Sequence, residues 1–277
     1  MKAPFMETTT LDRELEVLLE AIHARYHHDF RGYAMVSLRR RFARALDTLG
    51  LTTLSALHER LQGDPEGLPR LLSLLTVQVS QMFRDPSYYR ALREQVIPVL
   101  RTYPALRVWV AGCSTGEEVY SLAILLREEG LLDRTLIYAT DIDPTSLRRA
   151  EEGVYALDRI AQFSKNHQLS GGRSSLSDFY TAAYGAAVFD KTLRRNVVFS
   201  DHSLATDSVF AEMQLVSCRN VLIYFDRPLQ DRVVGLFRET LCRQGFLGLG
   251  SKESLHLTTH RDAFEAVAAG ERIYQRT

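Results

Sequence analysis

The residues best spaced for chemistry are a glycine turn followed at once by two acids, and a further acid where the next strand ends. The run Val108-Trp109-Val110-Ala111-Gly112-Cys113-Ser114-Thr115-Gly116-Glu117-Glu118 reads as a buried strand, a tight turn and a helix start. One helix and one strand later, Ile137 to Asp143 reads as a second apolar strand ending in acid. This pairing is how an open α/β sheet holds a ribose-bearing cofactor. Gly112 and Gly116 let the backbone turn sharply and approach a ligand. The helix start offers unpaired backbone N–H groups, where dinucleotides seat a pyrophosphate. Here Glu117 and Glu118 suit the helix dipole but repel a pyrophosphate. Ser114 also replaces the middle glycine of the dinucleotide fingerprint. The loop therefore suits a cofactor with cationic character and no phosphate, which describes S-adenosylmethionine. Asp141 is expected to accept the ribose hydroxyls. Asp143-Pro144 is the competing acid, and it also forms a good helix start with aspartate as the cap.

The elements that must position these residues change in kind along the chain. Leu11, Leu15, Leu18, Leu19 and Ile22 recur at helical spacing, as do Leu38, Phe42, Ala45, Leu46 and Leu49. Further helices are expected from Leu54 and over about 68–80, with no strand before residue 100. From Arg107, strands are expected at 107–111, 135–140, 196–200, 213–218, 245–249 and 272–276. Helices are expected at 117–129, 144–152, 228–242 and 261–269. Strand alternating with helix predicts an α/β domain on a parallel sheet. The expected organisation is a helical domain over 1–90, a linker over 91–104 and an α/β domain over 105–277. Residues 157–195 are an inserted subdomain, because a simple crossover needs far fewer. Within it, Ser170-Gly171-Gly172-Arg173-Ser174-Ser175 reads as a flexible polar loop.

Composition narrows the function classes. Among 277 residues, 34 basic and 34 acidic side chains give a formal net charge of zero, which argues against broad nucleic-acid or membrane-surface binding. The three cysteines match no zinc or redox spacing and read as buried thiols, consistent with the cytoplasm. No metal site, secretory signal or membrane span is expected.

Residues 111–118, with Tyr120-Ser121-Leu122-Ala123 after them, resemble the cofactor loop of the CheR-type protein-glutamate O-methyltransferases of bacterial chemotaxis. Ala139 to Asp143 resembles that family's second strand end. Cys218-Arg219-Asn220-Val221-Leu222-Ile223-Tyr224-Phe225 matches its Cys-Arg-Asn-Val-x-Ile-Tyr-Phe segment. Tyr33 to Arg41 resembles its basic N-terminal helix. The resemblance runs in order along nearly the whole chain. It implies a Rossmann-like class I S-adenosylmethionine-dependent methyltransferase domain behind an all-helical N-terminal domain. The implied reaction moves a methyl group from S-adenosylmethionine to glutamate side chains of a chemoreceptor or related signalling protein. A glutamate acceptor is already ionised at neutral pH and needs no general base. Other readings are a cofactor-binding sensor or scaffold with little turnover, and a small-molecule methyltransferase.

The resemblance places Gly112, Gly116, Glu117, Glu118, Asp141, Asp143, Arg219 and Asn220 in the cofactor pocket. It adds Gln78, Ser80 and Arg84 from a stretch that closes over the cofactor, and Ser203-Leu204 on the adenine side. Gln78, Ser80, Met82, Val119 and Ser203 depart from the residues the family usually carries there. Arg219 is suited to clamp a carboxylate, either the substrate's or the cofactor's own, by a bidentate contact. Tyr224 would orient the target glutamate. By charge alone the cluster Arg39, Arg40, Arg41 and Arg44 reads as a solvated face; the resemblance implies that it is a docking surface for acidic methylation helices. In the family the insertion forms a small antiparallel subdomain, which in some members captures a receptor's C-terminal peptide by strand addition. The weak alternation of residues 178–189 predicts an altered version here.

Overall fold

The computed structural model describes residues 5–64, 66–76 and 80–277, with side chains from residue 11. The helical half comprises α1 (Phe5–Tyr26), α2 (Met35–Leu49), α3 (Leu54–Gly63) and α4 (Gly67–Leu75). Leu15, Leu18, Leu19 and Ile22 of α1 lie on one stripe and pack against Leu38, Phe42 and Ala45 of α2 and Leu71, Leu72 and Leu75 of α4. Thr53 caps α3 by accepting a hydrogen bond from the Ala56 N–H at 3.1 Å.

The stretch expected as a linker is folded. α5 (Pro86–Ala91), a π-helical turn (Leu92–Val96) and α6 (Ile97–Leu100) run without a break. Leu92, Val96, Ile97 and Leu100 are buried in the same core as Val108 and Val110 of the sheet. Their apolar spacing makes this segment a covering helix of the α/β domain rather than a spacer.

The strands and helices that follow are β1 (Leu106–Ala111), α7 (Glu117–Glu128), β2 (Thr135–Asp141), α8 (Pro144–Glu152), β3 (Val154–Ala156) and α9 (Ile160–Leu169). Then come β4 (Tyr180–Ala183), β5 (Ala186–Phe189), β6 (Val197–Asp201), β7 (Met213–Cys218), α10 (Arg227–Thr240), β8 (Leu241–Leu249), β9 (Phe264–Ala268) and β10 (Ile273–Arg276). Among the described residues the main sheet has seven strands in the order β6-β2-β1-β7-β8-β10-β9. Pairing is parallel from β6 to β8 and antiparallel at β10 and β9. The order reverses between β1 and β7, which opens a crevice at the carboxyl ends of the strands.

Two expectations fail. Residues 261–269 form β9 between short 3₁₀ turns rather than a helix. Their alanines and Glu265 favour a helix, but antiparallel pairing with β10 buries Phe264 and wins. The loop Ser170–Ser175 is not loose. One carboxylate oxygen of Glu128 accepts hydrogen bonds from the Arg173 N–H at 3.0 Å, the Ser174 N–H at 3.1 Å and the Ser174 hydroxyl at 2.6 Å. Within the insertion β4 and β5 pair antiparallel and add to β3, which precedes residue 157, in the order β3-β5-β4. No helix of the described residues is long and apolar enough to cross a membrane.

Candidate active site

A cavity opens in the crevice between the helical half and the sheet. Its floor is the turn after β1. Gly112 has φ +73°, and both Gly112 and Cys113 donate their N–H groups to the Thr140 carbonyl at 2.8 Å. A Cβ at Gly112 would sit 2.5 Å from a Val221 methyl, so the turn needs glycine for conformation and for space. The Ser114 N–H donates to one oxygen of Asp141 at 2.8 Å, and the Asp143 N–H donates to the other at 3.0 Å. Each Asp141 oxygen keeps a lone pair for a further donor. Burial pushes the Asp141 carboxyl above its ordinary value, against the lowering effect of these N–H groups.

Glu118 lines the same cavity. It accepts from the Ser217 hydroxyl at 2.6 Å and stands 3.5 Å from a guanidinium nitrogen of Arg219. The guanidinium of Arg219 also donates to the Arg84 carbonyl at 3.0 Å and to Asp85 at 2.8 Å, and it lies 4.1 Å from the Tyr88 ring centroid. Burial opposes its charge, but Glu118, Tyr89, Tyr88 and Asp85 together raise its pKa. Arg219 thus holds two carboxylates of its own chain, which changes the clamp expected from the sequence.

Arg41 enters the cavity from α2, away from the surface expected for it. It is 7% exposed, and its guanidinium covers the Tyr224 ring at 4.2 Å. One terminal nitrogen donates to the Leu75 carbonyl. Its Nε and Nη2 have no hydrogen-bond partner among the described residues. The rest of the basic cluster divides. Arg39 is paired with Asp12 at 2.5 Å, while Arg40 and Arg44 are exposed.

Other expected residues separate in the same way. Ser80, Arg84, Leu204, Asn220 and Tyr224 line the cavity; Gln78 lies outside the described residues. Glu117 does not line it. It is fully buried and pairs with Arg159 of the insertion at 2.8 Å. Gly116, at φ +90°, serves packing: a Cβ there would meet Ala150 at 2.8 Å. Asp143 is a buried cap of α8, accepting from the Thr145 N–H at 2.9 Å, the Ser146 hydroxyl at 2.8 Å and the Ser73 hydroxyl at 3.1 Å. The Ser203 N–H donates to Asp207 at 2.8 Å in the neighbouring turn, and His202 takes the place at the cavity wall. Tyr33 and Arg41 were not legible as wall residues, because they reach the cavity only when the helical half docks, and His202 arrives through the pairing of β6 beside β2.

The donor set fits S-adenosylmethionine. Asp141 suits a ribose diol, Glu118 suits a cationic group, and Ile142 and Leu204 give an apolar wall for a base. Cys113 is also in the wall, but burial first, and then the charge of Asp141, push its thiol well above the ordinary range. That makes it a poor nucleophile.

The comparisons with known proteins identify the two domains that frame this cavity. Residues 13–76 match the CheR methyltransferase all-alpha domain, and residues 78–273 match the CheR methyltransferase SAM binding domain. The chain is 55% identical over 266 residues to Cher3 of Pseudomonas putida, covering 96% of this chain and 97% of that protein. It is 31% identical to a chemotaxis protein methyltransferase of Listeria monocytogenes, over 82% of this chain and 84% of that protein. A 104.1 kDa protein of Rhodobacter capsulatus is 32% identical over 89% of this chain, a match that spans 26% of that larger protein. With an acid-lined cavity at the sheet's switch point and both domains matched along their length, the chain belongs to the CheR family of S-adenosylmethionine-dependent methyltransferases.

Proposed function

We propose that this enzyme methylates glutamate carboxylates on the signalling helices of a chemoreceptor or a related cytoplasmic signalling protein. The observation that carries the acceptor is Arg41, a buried cation in the cavity wall with no acidic partner among the described residues. A buried charge without a partner is costly, and a substrate carboxylate would supply one. The name of the Listeria relative, a chemotaxis protein methyltransferase, supports the same class of target.

S-adenosylmethionine supplies a methyl group made electrophilic by the adjacent sulfonium. The protein's part is to bind, orient and exclude water. Asp141 would hold the ribose, and Glu118, itself steadied by Ser217 and Arg219, would hold the cationic end. Arg41 and Tyr224 stand together on the wall where the acceptor would arrive. The acceptor needs no base, so positioning in a dry site carries the catalysis, on the order of 7–11 kcal/mol. Arg40 and Arg44 lie on the exposed side of the helix that bears Arg41, which suits an acidic helix laid across the cavity mouth.

The test is transfer of labelled methyl from S-adenosylmethionine to a receptor signalling fragment. Glutamate methyl esters release methanol in mild alkali. Label that withstands alkali would assign the acceptor to nitrogen or sulfur and overturn the reading. Cofactor binding without transfer to any protein or small acceptor would favour the sensor.

A further inference from the structure

The geometry points to Glu253 as the positioning residue of the loop that carries Asn220 and Tyr224. It lies beyond β8, outside every motif that marked the cofactor site, and it does not line the main cavity. It is 4% exposed. One carboxylate oxygen accepts from the Gly250 N–H at 2.6 Å and the Asn220 N–H at 2.9 Å. The other accepts from the Ile223 N–H at 3.3 Å. Among the described residues no lysine, arginine or histidine forms an ion pair with it.

A buried acid held only by backbone dipoles is an expensive arrangement. What it holds explains its use. Asn220 has φ +62°, a left-handed conformation that a non-glycine residue adopts only when its surroundings enforce it. The 3₁₀ turn Leu222–Tyr224 follows, and its first N–H groups have no partner within the turn. Glu253 meets both needs from the loop after the neighbouring strand β8, bonding the Asn220 and Ile223 N–H groups at once. Gly250 makes room for it: a Cβ there would stand 2.7 Å from the Asn220 N and 2.8 Å from the Glu253 carboxylate. At the other end of the loop, Arg219 is fixed by Glu118, Asp85 and Tyr88. In the middle, Val221 rests on Gly112 of the cofactor turn. Glu253 is therefore the second anchor of a loop also pinned at Arg219, holding the backbone at Asn220 and at Ile223, the residue before Tyr224.

The inference rests on the proposed acceptor only for Tyr224; its Asn220 half concerns cofactor binding and needs no acceptor. Glu253→Gln keeps the shape but turns an amide N–H₂ toward backbone donors. We expect S-adenosylhomocysteine affinity, measured by calorimetry, to fall about tenfold or more. The kcat for methyl transfer should fall by about 10- to 100-fold, while KM for the protein substrate changes less than about threefold. Glu253→Asp, one methylene short, should lie between. Glu128→Gln, in the ion-pair network behind the site, serves as a control: it should lower thermal stability without moving Kd or kcat. Folded Glu253→Gln with wild-type Kd and kcat, or kinetic losses no larger than those of the control, would overturn the assignment. If no acceptor is found, the Kd comparison still decides the Asn220 half.

Discussion

Arg41 and Arg219 are both buried arginines in one cavity wall, and their partners set them apart. Arg219 is shared among Glu118, Asp85, the Arg84 carbonyl and the Tyr88 ring. Among the described residues Arg41 has one carbonyl and one ring. The substitutions should therefore fail differently. On the proposed function Arg41→Ala removes a substrate contact, so it should cut kcat/KM for the protein substrate by about 100-fold, with calorimetric affinity for S-adenosylhomocysteine within a few fold. Arg219→Ala should damage cofactor binding and stability together, because it leaves Glu118 and Asp85 without their cation. A selective loss of cofactor affinity in Arg41→Ala would remove it from the acceptor side. Asp141 carries a pH prediction. Its carboxyl is raised by burial, so on acidification it takes up a proton before an ordinary aspartate does. As an acceptor for hydroxyls it works ionised. Cofactor affinity should hold at neutral pH and weaken as pH falls through that raised value, and titration of S-adenosylhomocysteine binding against pH reads this directly.

The turn from β1 into α7 and the far end of α7 have different duties. At the near end, Gly112 combines a positive φ with contact to Val221. Gly112→Ala should cost about 1–3 kcal/mol in denaturant unfolding and weaken cofactor binding through the displaced Val221 loop. At the far end, Glu128 and Glu129 gather Arg93, Arg101, Arg173 and His167 into a largely buried network. Burial works against the Glu128 carboxylate, but hydrogen bonds from His167, Ser174 and Arg93 outweigh it and bring its pKa to about 2. A depressed folded pKa means stability that is complete above the unfolded value of about 4.3 and is lost as pH falls toward 2. Glu128→Gln should thus cost roughly 3–5 kcal/mol at pH 7. Stability curves of wild type and variant should converge as pH approaches 2; a gap that stays constant would place the effect in packing alone.

At the scale of the molecule, the cavity exists because the helical half docks on the sheet. The Ala34 N–H donates to the Tyr224 carbonyl at 2.9 Å, and the Asp226 N–H donates to the Gly32 carbonyl at 2.8 Å. Tyr33 and Phe225 meet edge to face, with centroids 4.9 Å apart. The insertion joins from another side: Arg159 pairs with Glu117 and donates to the Ser80 carbonyl. Three parts of the chain thereby share the cofactor turn. With Arg40 and Arg44 on the outer face of α2, Arg40→Glu combined with Arg44→Glu should raise KM for an acidic protein substrate by tenfold or more. The wild-type KM should rise with salt, and cofactor affinity should be unchanged. Equal loss of cofactor affinity would mean that α2 serves only to close the cavity.

Local physics fixed much of this from the sequence alone. A glycine turn between an apolar strand and an acidic helix start has few other conformations, so β1, the Gly112 turn, α7 and the strand-end Asp141 were readable without coordinates. The same acids turned the cofactor from a phosphate-bearing one to S-adenosylmethionine. What only the tertiary structure decided is which side chain faces whom. Glu117 and Glu118 are neighbours in sequence, but a helix rotates them about 100° apart, sending one to Arg159 and the other to the cavity. Arg40 and Arg41 part for the same reason, and Arg41 gains its place only because α2 packs beside Tyr224. Glu253 carries no local signal at all. Its meaning comes from backbone groups 30 and 33 residues away, brought within hydrogen-bond reach by the parallel pairing of β7 with β8.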